Sequence, residues 1–417
     1  MDKVYLCIDL KSFYASVECA DRGWDPFAVN LVVADASRGP GAITLAATPA
    51  IKRFGVKSRG RLFEIPKTVP YIAVRPRMKR YMEYSARIYK ILLKYVSSDD
   101  VHVYSIDEAF VDVTSYQRMY RKNAKQIAQM MIADIYASTR IVATCGIGTN
   151  LFLAKVALDI MAKHDPEGIG VLDRRRFCEA LWHHRPLTDF WMIGRGIARR
   201  LEQHGIYDLY GVTRCDPEIL YKEFGVNAEY LIDHAWGREP VEIADIKRYV
   251  PRSHSLSASQ ILFEEYNAED ALTVVKEMVD DNVLKLTERH LVTGHLSLGI
   301  GYAKGAGSSS HGSQTLAVLT SSYRVLREQC VGLFWRIVKK DRPIRRLWLS
   351  FGHLCEEEME QWDLFTDVDA LEKEKKMQEV LVEIKQKYGR NAIWRGTDAL
   401  EKATAKTRNT LIGGHHE

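Results

Sequence analysis

The chain has 417 residues, too many for one ordinary domain, and implies about two to four. Hydrophobic residues make up 46% of it, enough for several buried cores, and a net charge of +5 with a pI of 8.6 permits a polyanionic partner without requiring one. None of the seven cysteines forms a C-x-x-C pair, which removes a zinc site or disulfide framework, and no apolar run approaches the ~20 residues that span a bilayer.

The opening stretch VYLCI is broken by Asp9 and Lys11, so it is not a signal peptide, and a cytoplasmic protein without membrane contact is expected. Residues 3–9, KVYLCID, predict a buried strand that ends in an acid. A helix, SFYASVECA, follows with Ser12 as its N-cap. Next come a strand, NLVVAD, a Gly-rich turn, SRGPGA, and a small helix ending near Gly55. A long helix runs from about Arg77 to Tyr95, after which YSIDEAFVDVT alternates as a strand around Asp107 and Glu108. A helix over 123–138, a strand over 141–148 and a helix starting at Asn150 complete a mixed α/β unit. Short helices fill 171–237, and VEIADIKRYVPR reads as a linker. Beyond it lies an α+β unit ending near Phe351, with GAGSSSHGS as an internal loop. An acidic run, CEEEMEQWDLFTD, a charged helix over about 369–387 and a basic tail close the chain.

Phosphoryl transfer is served by two divalent cations about 3.5–4 Å apart, held by hard oxygen ligands. Adjacent strand residues point to opposite faces, so Asp107 and Glu108 share a site only near a strand end or turn, where the pleat relaxes. If the strand ending at Asp9 lies beside theirs, three carboxylates converge. Alone, each acid is more often a solvated strand end than a metal ligand. The segments IDLKSFYASVE at 8–18, SIDEAF at 105–110 and GIGTNLFLAK at 146–155, in this order and at these spacings, together resemble the Y-family DNA polymerases. The resemblance covers roughly 1–355, is closest to the UmuC/UvrX-type branch, and extends to the closing RNTLIGGHHE.

The resemblance implies a right-hand-like polymerase of α/β and α+β domains: a palm (1–14 and 77–170), small fingers (15–76), a helical thumb with a helix-hairpin-helix (171–240), a linker (241–252), an α+β little finger (253–355) and a tail (356–417). It implies a monomeric, low-fidelity translesion enzyme, damage-induced, that joins deoxynucleotides to a primer with two Mg²⁺ ions. Asp9, Asp107 and Glu108 match the metal-binding carboxylates, and Leu10 the position whose backbone carbonyl adds a ligand. Phe13 and Tyr14 match the pair beneath the incoming sugar, with Tyr14 at the steric gate that rejects a ribose 2′-OH. Lys52 and Lys155 match triphosphate-binding positions. Where many relatives have a tyrosine three residues before Lys52, this chain has Pro49, and Thr48 is the alternative hydroxyl. Arg59 and Arg61 lie nearby without an assigned part.

For primer–template DNA, WMIGRGIARRLEQHGI at 191–206 resembles a helix-hairpin-helix, in which Gly194 and Gly196 allow a tight turn facing a phosphate and Arg195 and Arg199 add charge. Lys247, Arg248 and Arg252 in the linker, and Lys339 and Lys340 in WRIVKKDRPIRR, provide a further sequence-blind grip. QWDLF resembles the short bacterial motif that docks into a sliding clamp: Leu364 and Phe365 fill an apolar groove and Gln361 bonds at its rim. The helix after it, with an apolar stripe of Leu371, Val380, Leu381 and Ile384, is expected to pack on its own protein. The rival readings are a non-catalytic DNA- and clamp-binding repair scaffold, which needs no triad of acids, and a palm-type nucleotidyl cyclase, which needs no DNA- or clamp-binding segment.

Overall fold

The structure is a computed structural model that describes residues 3–251, 254–357 and 367–416. The chain divides into two units, residues 1–249 with the last three residues of the chain, and residues 250–414.

The first unit is built on a five-stranded sheet. Its strands are β1 (Tyr5–Leu10), β5 (Val101–Val103), β6 (Glu108–Asp112), β7 (Ala143–Gly148) and β8 (Ile169–Leu172), in the order β5-β6-β1-β7-β8. The intervening β2 (Leu31–Val33), β3 (Ala46–Ala47) and β4 (Ile72–Val74) form a separate small sheet in the order β3-β2-β4. β1 lies at the centre of the main sheet, antiparallel to both β6 and β7. Its alternation sends Leu6, Ile8 and Leu10 into a core with the helices Met78–Leu92 and Ala124–Thr139. Tyr5 and Cys7 face the other way, against Leu151, Ala154 and Leu158.

The helix Leu151–Val156 on this other face is capped by Asn150, whose side chain accepts from the Leu153 amide at 2.8 Å, and it continues as a π turn over Ala157–Met161. It lies directly on β7. A Cβ added at Gly146 would meet the Ala154 carbonyl oxygen at 2.0 Å, and one at Gly148 the Ala154 nitrogen at 2.1 Å. The two glycines of GIGTNLFLAK are therefore a packing requirement.

Five helices, Arg174–Leu181, Arg195–Gln203, Leu209–Arg214, Pro217–Phe224 and Asn227–Ala235, share a core around Phe177, Leu201, Leu209 and Leu220. The segment 191–206 supplies only one of them, preceded by the short turn Leu187–Asp189 instead of a full helix. Neither Gly194 nor Gly196 has a positive φ; the left-handed residue of this turn is Met192, at φ 69°. The glycine reading of the turn is thereby corrected. Residues 241–252 are not a free linker either. They contain the helix Ile243–Arg248, and Ile243 is buried with Tyr5, Phe110 and Leu151.

The second unit contains β9 (Leu256–Tyr266), β10 (Leu291–Tyr302), β11 (Ser310–Thr320) and β12 (Ile344–Gly352) in an antiparallel sheet ordered β11-β10-β12-β9, with β13 (Cys355–Glu356) pairing the start of β10. The helices Ala268–Glu288 and Tyr323–Ile337 close one face over Leu296, Leu298, Leu347 and Leu349. The expected Gly/Ser loop ends earlier than its composition suggests, since Ser310–Ser313 already pair within β11. The tail belongs to this unit. Its helix Val368–Tyr388 buries Gln378, which accepts from Thr287 at 3.1 Å, and Glu374 accepts from Ser322 at 2.7 Å. Further on, the buried Glu277 accepts from the amides of Thr404 and Ala405, at 2.9 and 3.0 Å, and from the Thr404 hydroxyl. No helix among the described residues is long and apolar enough to cross a membrane.

Candidate active site

Asp9 sits one residue from the end of β1 and faces Glu108 across the β1–β6 ladder. Asp107 precedes the strand in the turn 104–108, where the amides of Tyr104 and Ser105 both bond the Glu108 carbonyl. The chain thus leaves the pleat between the two neighbouring acids. Asp107 lines the same cleft as Asp9, whereas the Glu108 carboxylate does not, and instead accepts from the Cys7 thiol at 3.1 Å and meets Lys155 at 2.7 Å. The Leu10 amide donates to the Asp107 carbonyl at 3.0 Å, and the Ser105 hydroxyl donates to the Asp107 carboxylate at 2.6 Å. Asp9, Leu10 and Asp107 line a cleft of about 550 Å³ together with Phe13, Tyr14 and four cations, Lys11, Lys52, Arg59 and Lys163.

The electrostatics are those of crowded like charges held apart by ammonium groups. Burial raises the Asp9 carboxyl above its ordinary range; Lys163, 3.5 Å away, opposes this, while Asp107 and Glu108 add to it. Lys52 reaches the cleft and donates to Ser12 Oγ at 2.8 Å. Its ammonium is held below the usual lysine range by partial desolvation, against the pull of Asp9 and with repulsion from Lys11 and Lys163. A pocket rim that crowds cations is a place for a polyanion.

Tyr14 lies in the first turn of the helix Phe13–Arg22 and stacks on Tyr81 with ring centroids 4.4 Å apart. The Tyr81 hydroxyl donates to the buried Glu18 at 2.7 Å, which locks the platform. Phe13 is buried beneath. Ser12 does not cap the helix. It takes a left-handed conformation, φ 52°, and its hydroxyl turns to Lys52.

Two expectations are corrected here. Lys155 does not line the cleft: its buried ammonium lies 2.7 Å from Glu108 and 3.0 Å from Asp159. Burial would lower its pKa, but Glu108 outweighs this and holds the ammonium above its usual range. Lys163, eight residues on, is the lysine of that helix that reaches the cleft, and its spacing of two helical turns was visible in LFLAKVALDIMAK. Thr48 cannot replace the missing tyrosine, because its buried hydroxyl donates to the Val29 carbonyl at 2.7 Å and accepts from the Leu31 amide at 3.0 Å. Arg61 is likewise occupied, donating to the Gly41 carbonyl at 2.6 Å, whereas Arg59 lines the cleft.

The expected DNA-contacting residues divide. Arg195 and Arg199 are exposed, and the space beside Gly194 and Gly196 is open. Lys247 is engaged by the Ser98 carbonyl, and Arg248 by Ala244 and Asp245 of its own helix. Lys339 and Lys340 are exposed, with the Lys340 ammonium 4.8 Å from the Trp335 ring. The open face of the second unit's sheet adds Arg346, stacked over Trp348, and a row of Ser257, Ser259, Ser297 and Ser350, none of which was singled out from the sequence. Gln361, Leu364 and Phe365, and Arg252, lie outside the described residues.

As a donor set, three carboxylates and the Leu10 backbone are oxygen ligands suited to a hard divalent cation, and burial together with the neighbouring Asp107 and Glu108 raises the Asp9 carboxyl, a charge that a cation would favour. Among the described residues no three Asp, Glu, His or Cys side chains are gathered at ligand distances; Lys155 pairs with Glu108 and Lys163 lies 3.5 Å from Asp9.

An acid-ended central strand, a neighbouring acid pair and a cationic rim are features that nucleotidyl transfer calls for. Residues 8–159 match the impB/mucB/samB family and residues 253–364 match that family's C-terminal domain. The chain is 32% identical over 417 residues to the UvrX protein of Bacillus subtilis (strain 168), whose name associates it with UV-damage repair; the match covers 99% of this chain and 97% of that protein. It is 30% identical over 424 residues to DNA polymerase IV 2 of Halalkalibacterium halodurans, covering all of both. The fold is shared with a Y-family DNA polymerase chimera of Dbh and Dpo4, at a TM-score of 0.64 and 22% identity, over 85% of this chain and all of the other. The chain belongs to the impB/mucB/samB family, the Y-family DNA polymerases of translesion synthesis. Divalent-metal dependence is general to that family.

Proposed function

We propose that the cleft between Asp9, Asp107 and the four cations is where a deoxynucleoside triphosphate joins a primer 3′-hydroxyl, releasing pyrophosphate. The meeting of Asp9 and Asp107 with the cationic rim in one cleft, with Glu108 across the ladder from Asp9, carries this reading. Asp9, Asp107, Glu108 and the Leu10 carbonyl are proposed to hold two Mg²⁺ ions. Bound there, the ions would lower the pKa of the primer hydroxyl and neutralise charge on the leaving phosphates. Lys52, Lys163 and Arg59 bind and orient the triphosphate. Tyr14, fixed by its stack on Tyr81, supports the sugar and excludes a 2′-hydroxyl. Arg195, Arg199, Lys339 and Lys340 grip the DNA backbone, and Gln361, Leu364 and Phe365 dock a sliding clamp. The protein is proposed to act as a monomer in the cytoplasm.

The test is primer extension with Mg²⁺. Asp107→Ala and Glu108→Ala should each abolish extension while gel-shift affinity for primer–template DNA persists. Near-normal extension by either variant would remove that carboxylate from the catalytic set.

A further inference from the structure

Two lysines of one helix sit against the cross-strand acids Glu108 and Asp9, the latter in the cleft, and a single carboxylate stands between them. Lys155, Asp159 and Lys163 follow one another at intervals of four, so they share one helical face across the π turn Ala157–Met161. Asp159 Oδ1 lies 2.7 Å from the Lys163 ammonium, and Asp159 Oδ2 lies 3.0 Å from that of Lys155. On their far sides the same two ammonium groups meet Glu108 at 2.7 Å and Asp9 at 3.5 Å. The result is an alternating chain, Glu108–Lys155–Asp159–Lys163–Asp9, whose ends are cross-strand neighbours. Among the described residues, the two lysines are the only side chains that the Asp159 carboxylate bonds.

The two lysines differ in freedom. Lys155 is buried, whereas the Lys163 side chain keeps 41% of its exposure and reaches the cleft. Lys163 thus has two partners of unequal closeness, Asp159 near and Asp9 farther. An ammonium drawn fully onto Asp9 would compete with any cation seeking that carboxylate. One tethered to Asp159 leaves Asp9 accessible and keeps its own charge at the cleft edge.

We propose that Asp159 is a positioning residue that holds Lys163 back from Asp9, so that the cleft's carboxylates remain available to divalent cations. Asp159 itself touches neither cleft nor substrate; it acts through the lysine. The inference rests on the polymerase reading of the cleft.

The test is Mn²⁺ binding by the full-length protein without DNA or nucleotide, followed by loss of the free-ion EPR signal, which needs no turnover. In Asp159→Asn, Lys163 loses its near partner and closes on Asp9, and Mn²⁺ affinity should fall about tenfold, the range of one charge-assisted hydrogen bond. Asp159→Glu should restore it. Removing a negative charge near a cation site weakens binding by plain Coulomb attraction too, so the same substitution is made in a Lys163→Met background. If Asp159 acts through Lys163, the loss there should shrink to less than about twofold. An equal loss in both backgrounds, or unchanged affinity in Asp159→Asn, overturns the proposal. Asp159→Ser, carried alongside, supplies the measurement if the Asn variant does not fold. A wild-type protein that extends primers and binds Mn²⁺, with Asp159→Asn indistinguishable from it, defeats the positioning role alone; a wild type that does neither defeats the polymerase reading beneath it.

Discussion

Asp9 is the residue where the needs of the site and those of the fold are most opposed. Its folded-state pKa is raised, chiefly by burial and then by Asp107 and Glu108. The folded protein therefore holds that proton more tightly than the unfolded chain does. Its contribution to stability is present below the ordinary carboxylate range and is lost as the pH rises through the raised value. At neutral pH without divalent ions, Asp9→Asn should stabilise the protein by about 1 kcal/mol while abolishing extension, a trade common at active sites. Excess Mg²⁺ should reverse the order in a melting experiment, since only the wild type gains from binding. A variant less stable than wild type in EDTA would contradict this. Tyr14 makes the second residue-scale prediction. Because its ring stacks on Tyr81 at the cleft and is not sealed in the core, Tyr14→Ala should fold and should raise ribonucleotide insertion relative to deoxyribonucleotide by about tenfold or more. An unchanged ratio would end the steric-gate role. Residue by residue, the neighbouring of Asp9 and Glu108 across two strands followed from the resemblance carried by the three motifs, since each acid by itself reads as a solvated strand end. The choice between Lys155 and Lys163 was not legible, because which of two lysines on one helical face is buried depends on the sheet beneath, and Ser12 lost its cap role to a lysine forty residues away.

The elements of the first unit follow their sequence signals closely where hydrophobic period and caps agree, as in the helix Ala124–Thr139 with its Asn123 and Gln126 capping box. They depart where tertiary contact decides. VEIADIKRYVPR is polar enough to pass for a linker, yet burial of Ile243 turns half of it into a docked helix and commits Lys247 to the Ser98 carbonyl. At 191–206 the glycines suggested the bend, but the left-handed residue is Met192, which no propensity would nominate. The contact between β7 and the helix after it yields a sharp prediction. Gly148→Ala places a methyl group 2.1 Å from the Ala154 nitrogen, on backbone that cannot move without displacing Lys155 and Lys163. It should destabilise the protein by about 3 kcal/mol in urea denaturation and should impair extension as well. A cost under about 0.5 kcal/mol would show that the helix can lift away freely.

At the scale of the whole molecule, the sequence marked where the second unit begins, near residue 250, but not where it ends. The acidic run after 355 was expected to be exposed and lies mostly outside the described residues, whereas the helix beyond it was expected to pack on its own protein. The chain after that helix also docks, through polar pairs with the Ala268–Glu288 helix, Thr404 with Glu277 and Arg395 with Asp280. Such pairings between distant residues leave no periodic trace in a single sequence. The proposed clamp motif is therefore carried by a segment bounded on both sides by this unit: Glu356 pairs with Leu291 before it, and Asp367 caps a helix after it. Leu364→Ala with Phe365→Ala should weaken clamp binding at least a hundredfold, taking about 2 kcal/mol for each anchor, and leave distributive extension on a short primer unchanged. Equal clamp affinity for variant and wild type would remove the docking role, and a parallel fall in melting temperature would assign both residues to the fold.

The Glu357–Lys375 ion pair, 3.1 Å long, joins the start of that connecting segment to the helix that follows it. With it, residues 357 and 375 are tied in space as well as along the chain. A single peptide-bond cleavage between them would consequently free neither piece: the fragment beginning with the Val368–Tyr388 helix would stay seated through Glu374, Gln378 and the Glu277 cradle. Continuity of the polypeptide and integrity of the particle are separate properties in this part of the protein, and a chain nicked there would come apart only when the unit itself unfolds.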